Sequence, residues 1–269
     1  MAYVRRWAAV AAAASLMLGC ERSVSGPQMS RVTAYLTDAP APALASAEVW
    51  VSRIYLVGGD SGRVTISDMP QSFDLLQLQG GVTALLGAAT IPAGDYAQLR
   101  LVVDSARLTL DTGMTFADGS TSKLMKVPSG AQTGIKVDFG GAVPIAPGHT
   151  DLVIDFDVSR NFIFTGPPGG SFGVLFTPTL HASVMDVSGS IAGTSLPVAA
   201  RGHLFAILGT DTVTSALADT VTGAYRLSFL PPGTYTVADS AAGYTTGIMT
   251  VTVGSAQNVT GVDFTLTPH

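Results

Sequence analysis

Cysteine occurs once in the 269 residues, at Cys20, so no disulfide can form within the chain. A folded part must therefore rest on its apolar core. Charge is also scarce: charged residues make up 12% of the sequence, about half the usual globular share. That excludes a coiled coil or a charged disordered tail. Lysine and arginine (14) are outnumbered by aspartate and glutamate (19), which excludes a surface built to neutralise phosphates. Nucleic acid is not an expected partner. Beyond the first twenty residues no apolar run approaches the roughly 20 residues that a membrane-crossing helix needs. The four histidines, His149, His181, His203 and His269, form no His-x-His or His-x-x-x-His pair, so zinc has no framework. A Gly-x-Ser-x-Gly elbow and a phosphate-binding loop ending in Lys-Ser/Thr are both missing.

What is plentiful is Gly (30), Pro (15) and hydrophobic residues, at 47%. Apolar residues recur with a period of two, broken by Gly, Pro and Asp turns, which predicts strands. Val32, Ala34 and Leu36 share one face of an opening strand. Trp50, Ile54 and Leu56 are expected to share a face of the next, with a turn at Gly58-Gly59-Asp60 and a hairpin partner from Arg63 to Ser67. Leu99, Leu101 and Val103 alternate with Gln98, Arg100 and Asp104, and Leu108 and Leu110 continue after a polar break. Asp111-Thr112-Gly113 turns the chain. The leucine-rich stretch Phe73 to Leu86 allows one or two helical turns, limited by Gly80-Gly81. Composition shifts to Ser, Gly and Thr around Asp186 to Thr194, and a second series of strands follows. There Tyr225, Leu227 and Phe229 share a face, Pro231-Pro232-Gly233 turns, Tyr235 and Val237 return, and Val262, Phe264 and Leu266 close the series. The expected fold is all-β, with two β-sandwich domains in tandem at residues 31–187 and 188–269. Ile91-Pro92-Ala93-Gly94-Asp95-Tyr96 echoes Leu230-Pro231-Pro232-Gly233-Thr234-Tyr235, suggesting one turn chemistry in both halves, with Pro fixing φ before a Gly free to take a positive φ.

The N-terminus reads as an address. Arg5 and Arg6 precede an apolar run from Trp7 to Leu18, the layout of a secretory signal peptide. Leu16-Met17-Leu18-Gly19-Cys20 resembles a bacterial lipobox, which implies cleavage after residue 19 and a lipid on Cys20 as the first mature residue. Residues 20–30 then form a polar tether. Loss of Arg5 and Arg6 moves the net charge from −5 to −7, so attraction to anionic lipid is not expected.

Several motifs carry a wider resemblance. Leu36-Thr37-Asp38-Ala39-Pro40, Phe73-Asp74-Leu75-Leu76, Ile91 to Tyr96, Val127-Pro128-Ser129-Gly130, Thr133-Gly134-Ile135-Lys136 and Leu152 to Asp157 resemble, in that order, bacterial lipoproteins of domain-of-unknown-function family 4382. This implies an architecture and an envelope location, with no assigned activity. Gly223-Ala224-Tyr225-Arg226-Leu227, Leu230 to Val237 and Gly243-Tyr244 are similar to carboxypeptidase regulatory-like domains, prealbumin-type sandwiches grouped with carbohydrate-binding-like folds. Such domains are usually non-catalytic appendages, and fold alone assigns no function.

Candidate chemistry is sparse. Gly59-Asp60-Ser61-Gly62 looks like the nucleophile motif of trypsin-like proteases, but every histidine follows Ser61, whereas in that fold the His and Asp come first. A polar hairpin tip is expected. Asp151, Asp155 and Asp157 are expected on one strand face, opposite Leu152, Ile154, Phe156 and Val158. Three carboxylates there could meet calcium, and a solvated sheet face gives the same pattern with no ion. Asp155 and Asp157 could also serve a metal-dependent hydrolase as an acid/base pair. Of the aromatics Trp50, Tyr55, Tyr225, Tyr235 and Tyr244, Tyr244 after Gly243 is expected to be the most exposed and the best placed to stack on a sugar. The sequence names no catalytic residue. Its leading expectation is a non-catalytic binding or adhesion module held to the membrane through Cys20, with a polysaccharide or an envelope protein as partner. A hydrolase and a structural spacer are the alternatives.

Overall fold

A computed structural model describes residues 26–39, 44–58, 62–127, 133–166 and 173–269. The expected signal peptide, Cys20 and Gly59-Asp60-Ser61 lie outside these described residues. The first fourteen strands are β1 (Met29–Thr37), β2 (Leu44–Val57), β3 (Arg63–Ser67), β4 (Gln71–Asp74), β5 (Ala84–Pro92), β6 (Gly94–Tyr96), β7 (Gln98–Leu110), β8 (Ser122–Lys126), β9 (Ile135–Asp138), β10 (Val143–Ile145), β11 (Gly148–Asp155), β12 (Phe162–Thr165), β13 (Gly173–Phe176) and β14 (Leu180–Val184). Ten of them form one hydrogen-bonded sheet in the order β3-β2-β7-β9-β14-β11-β1-β5, with β4 also on β2 and β8 also on β7. The pairs β1–β11 and β9–β14 are parallel. Apolar side chains from across this sheet, among them Val32, Leu36, Ile54, Ile66, Leu86, Leu101, Val137, Ile154 and Leu180, enter a single core. One sheet can feed one core this way only by folding over. Its end strands do meet, because a Cβ on Gly87 of β5 would stand 2.4 Å from the Cβ of Ser67 on β3.

Paired bulges turn the long β2–β7 ladder. Trp50 pairs with Ser105, Val51 with Val103 and Arg53 with Val102, so Ser52 and Asp104 are each the extra residue of their strand. The Ser52 hydroxyl donates to Asp104 Oδ1 at 2.9 Å. Each extra residue reverses the faces beyond it. In β2 the core side passes from Ala47, Val49 and Val51 to Ile54 and Leu56; in β7 it passes from Leu99, Leu101 and Val103 to Ala106, Leu108 and Leu110. Trp50 therefore does not share a face with Ile54 and Leu56, contrary to the alternation. It lies half-buried with the Arg107 guanidinium 5.3 Å from its ring. The alternation was expected to run through Asp104, and the bulge there is what reverses the phase before Leu108 and Leu110.

Between Phe73 and Leu86 the helical expectation reduces to one 3₁₀ turn, Leu75–Leu78, whose Leu76 amide donates to the Asp74 carboxylate. A second 3₁₀ turn, Met185–Val187, precedes the remaining strands. These are β15 (Gly189–Leu196), β16 (His203–Leu208), β17 (Asp211–Leu217), β18 (Ala224–Leu230), β19 (Gly233–Ser240), β20 (Gly247–Val253), β21 (Asn258–Val259) and β22 (Phe264–Thr265). They build two four-stranded sheets, β18-β15-β21 with β22 on β15, and β17-β16-β19-β20. A second core of Ile191, Leu204, Leu227, Tyr235, Val237 and Phe264 lies among them. The molecule is thus all-β, with two cores in tandem.

The echoed segments form the same corner. The Tyr96 hydroxyl donates to the Pro92 carbonyl at 2.8 Å, and the Tyr235 hydroxyl donates to the Pro231 carbonyl at 2.6 Å. Each tyrosine returns to the residue four before it, as in tyrosine corners of other sandwiches. The positive φ expected of the glycine is found at Gly94 and not at Gly233. Gly94 has φ +142°, whereas Gly233 is not left-handed; a Cβ there would stand 3.2 Å from Leu208 Cδ1.

Candidate functional site

β11 ends at Asp155, and the backbone then breaks from extended geometry. The Phe156 amide donates to the Thr37 carbonyl, and Asp157 takes φ +41°. One helical turn follows, α1 (Val158–Asn161). The three aspartates consequently do not line one strand face. Asp151 pairs with His149 Nε2 at 2.9 Å, Asp155 closes the strand, and Asp157 lies beyond it at 1% exposure. Nor is the opposite face solvated, because Val153 is as buried as Leu152 and Ile154. No three acidic, histidine or cysteine side chains among the described residues are grouped to hold a metal.

Asp155 and Asp157 instead meet an acid that sequence reasoning passed over. Asp38, at the end of β1, accepts from the Val158 amide at 2.9 Å through Oδ1 and is 4% exposed. Asp155 Oδ1 accepts from the Asp157 amide at 3.1 Å, and the Asp157 carboxylate accepts from the Ser159 hydroxyl at 2.6 Å. Asp38 Oδ2 and Asp157 Oδ2 are buried with no hydrogen-bond partner.

Facing these acids is β17 of the second core. The Thr214 hydroxyl faces Asp155 and the Ser215 hydroxyl faces Asp157, each favouring the charged form of its carboxyl. The Arg160 guanidinium donates to the Thr212 carbonyl. On the other flank the Ser183 hydroxyl donates to the Phe229 carbonyl at 3.0 Å. Phe229 sits in a bulge between the pairs Gly189–Leu230 and Ile191–Leu227 and has φ +57°. A bulky residue rarely holds that conformation without a local reason. These contacts leave a cleft of about 590 Å³ between the two units, with Asp38, Gln79 and Asp155 on one side and Thr214, Asp219, Arg226 and Ser228 on the other. Its size is that of small-ligand sites.

Electrostatics distinguish this cleft from the rest of the surface. Burial pushes the Asp155 carboxyl up to about 7; the neighbouring Asp157 charge adds to this, and Thr214 and Arg160 oppose it. Burial also raises Asp157 and holds Asp38 well above the usual carboxylate range, with Asp155 and Asp157 repelling the Asp38 charge. Nearby, burial and the Arg160 charge depress His181, and burial pushes His203 down to about 4, its Nε2 being 3.2 Å from the Ser215 hydroxyl. Such clustering of displaced protonation is typical of functional clefts.

Of the aromatic candidates, Tyr225 lines the cleft and Trp50, Tyr55, Tyr235 and Tyr244 lie apart from it. Tyr225 and Tyr235 are core residues, and Tyr225 donates to the Val262 carbonyl at 2.6 Å. Tyr55 is buried with its hydroxyl on the Thr133 carbonyl. Tyr244 is half-buried and bridges to Pro268 rather than standing free.

Residues 29–178, more than half of the chain, match the family described as domain of unknown function (DUF4382). The chain belongs to this family. The DUF4382 portion supplies Asp38, Gln79 and Asp155 to the cleft, and the strands beyond the match supply the facing wall. No curated protein matches the chain. Solved structures similar to it include the Bacillus anthracis TIE protein, at 13% identity and TM-score 0.25, covering 88% of this chain and 34% of that one. The DUF4382 protein thus spans about a third of the length of that match. GBS52, the minor pilin of Streptococcus agalactiae, has 12% identity and TM-score 0.25, covering 89% and 96%. BcpA, the major pilin subunit of Bacillus cereus, has 10% identity and TM-score 0.24, covering 90% and 71%. At these TM-scores none of the likenesses carries an argument about function.

Proposed function

We propose that this DUF4382 protein is an exported envelope lipoprotein, anchored through Cys20, that binds a polysaccharide or an envelope protein in the cleft between its two units and catalyses no reaction. The observation carrying this reading is the cleft itself: both units shape it, and hydroxyl, amide and carboxyl groups converge on it. Such walls suit a hydroxyl-rich polymer, in keeping with the carbohydrate-binding-like resemblance of the second domain. The anchor rests on Arg5 and Arg6, the apolar run after them and Cys20, in a chain with no other cysteine. Among the described residues no helix is long and apolar enough to cross a membrane. A hydrolase using Asp155 and Asp157 fits the geometry less well, because Asp157 is 1% exposed and does not line the cleft.

Two experiments test this. Radioactive fatty acid should label the protein in cells, and Cys20→Ser should abolish the label; label retained in the variant would refute the anchor. A glycan-array screen of the full chain in detergent, with calcium present and then chelated, should find a specific saccharide. A clean negative on folded protein would leave a protein partner or a spacer.

A further inference from the structure

We propose that the cleft between the two units takes a saccharide carrying a free amine, with its ammonium group seated against Asp38 and Asp155. The proposal rests on the reading of the cleft as a glycan site and adds the chemistry of the ligand. Asp38 is 4% exposed, lines the cleft, and has one carboxylate oxygen without a partner. Among the described residues Asp155 accepts from the neutral Asp157 amide and faces the neutral Thr214 hydroxyl. Arg160, the cation acting on Asp155 and Asp157, is already committed to the Thr212 carbonyl. At the rim Asp219 adds a carboxylate held low by its bonds to Val221 and Thr222, while Arg226 reaches to Asn258 at 3.2 Å. The cleft therefore has an excess of carboxyl groups over cations, and an ammonium with several N–H donors supplies what is missing. A bare metal ion fits less well, because no three His, Cys, Asp or Glu side chains among the described residues are grouped to hold one. Ser228, whose buried hydroxyl has no partner, and Gln79 offer polar contacts to sugar hydroxyls, and the Tyr225 and Phe229 residues on the same wall offer ring surface beside them.

The pH dependence follows from the groups around Asp155: Asp38 after β1, Asp157 and Arg160 around α1, Thr214 on β17, and His181, its cross-strand partner on β14, which burial and the Arg160 charge depress. Below about 7 Asp155 keeps its proton, so an arriving ammonium must displace it. Affinity then falls as pH falls, by up to about tenfold per unit, with release of a proton. Above about 8 an amine of the α-amino type loses its own proton. Affinity is therefore greatest between these limits.

The test compares glucosamine oligomers with N-acetylated oligomers of equal length, titrated calorimetrically into the full chain in detergent in buffers of different ionisation enthalpy. The amine form should bind at least tenfold more tightly at pH 7.5, release a proton on binding at pH 6, and lose that advantage in Asp155→Asn. The proton-release measurement uses the unaltered protein and decides the matter even if the variant fails to fold. Equal or tighter binding of the acetylated oligomer would overturn the inference and leave the glycan reading standing. Binding of neither form would overturn both. A lysine peptide that displaces the amine sugar would overturn the saccharide assignment.

Discussion

Tyr96 and Tyr235 make the same hydrogen bond in different surroundings. Tyr96 lies on the three-residue strand β6, paired only with β10. Tyr235 lies on β19, with strands on both sides, and has no exposed surface. Burial raises both phenols, Tyr235 to about 12. The short Pro-x-Gly-x-Tyr segment sets the corner, and the strands around it set how much the fold depends on it.

The largest expected effect breaks that comparison at its rings. Tyr235→Ala should cost about 3–5 kcal/mol and Tyr96→Ala about 2–3 kcal/mol, by analogy with other buried aromatics. Calorimetry on both variants checks this, and equal losses would show that the neighbouring strands do not matter. Asp155→Asn comes next and contrasts the acidic edge of the first unit with the apolar corner of the second. The native Asp155 carboxyl is raised from 3.8 to about 7, so it favours the folded state at low pH, and this support is lost as pH rises through that window. The variant should match the wild type near pH 4 and exceed it at pH 8 by up to roughly 4 kcal/mol, less whatever water in the cleft screens. Denaturation at the two pH values measures the difference; a constant offset would refute the assignment. Tyr96→Phe and Tyr235→Phe should each cost about 1 kcal/mol, since only the hydroxyl bond is removed. Similar losses there, beside unequal losses for alanine, would separate the shared bond from the unequal packing. Smallest of all, Gly94→Ala should cost about 1 kcal/mol through its positive φ, and Gly233→Ala less, because the tip of Leu208 can move. Thermal midpoints of the two variants would rank them.

Much of this fold was legible because strand alternation is local. Val32, Ala34 and Leu36 announced the opening strand, and the echo of two Pro-x-Gly-x-Tyr segments announced the corners. The bulges were hidden because one extra residue reverses the phase without leaving a marker; Asp104 read as one more polar residue of the alternation. The cleft was less legible still. Asp155 was singled out on the expectation of a continuing strand, which the left-handed Asp157 ends. Asp38, Thr214 and Ser215 come from distant parts of the chain and share no spacing that could be counted. The one signal for Asp38 was its place in the Thr37-Asp38-Ala39-Pro40 motif.

The meeting of β3 and β5 has a consequence for crowding. An open ten-stranded sheet would offer two bare backbone edges as templates for a neighbour's strand. Folding the sheet over turns both edges toward each other, with Gly87 packed on Ser67. A neighbour's strand then finds the two edges crowded against each other where Gly87 meets Ser67, which guards the native fold there against edge-to-edge aggregation.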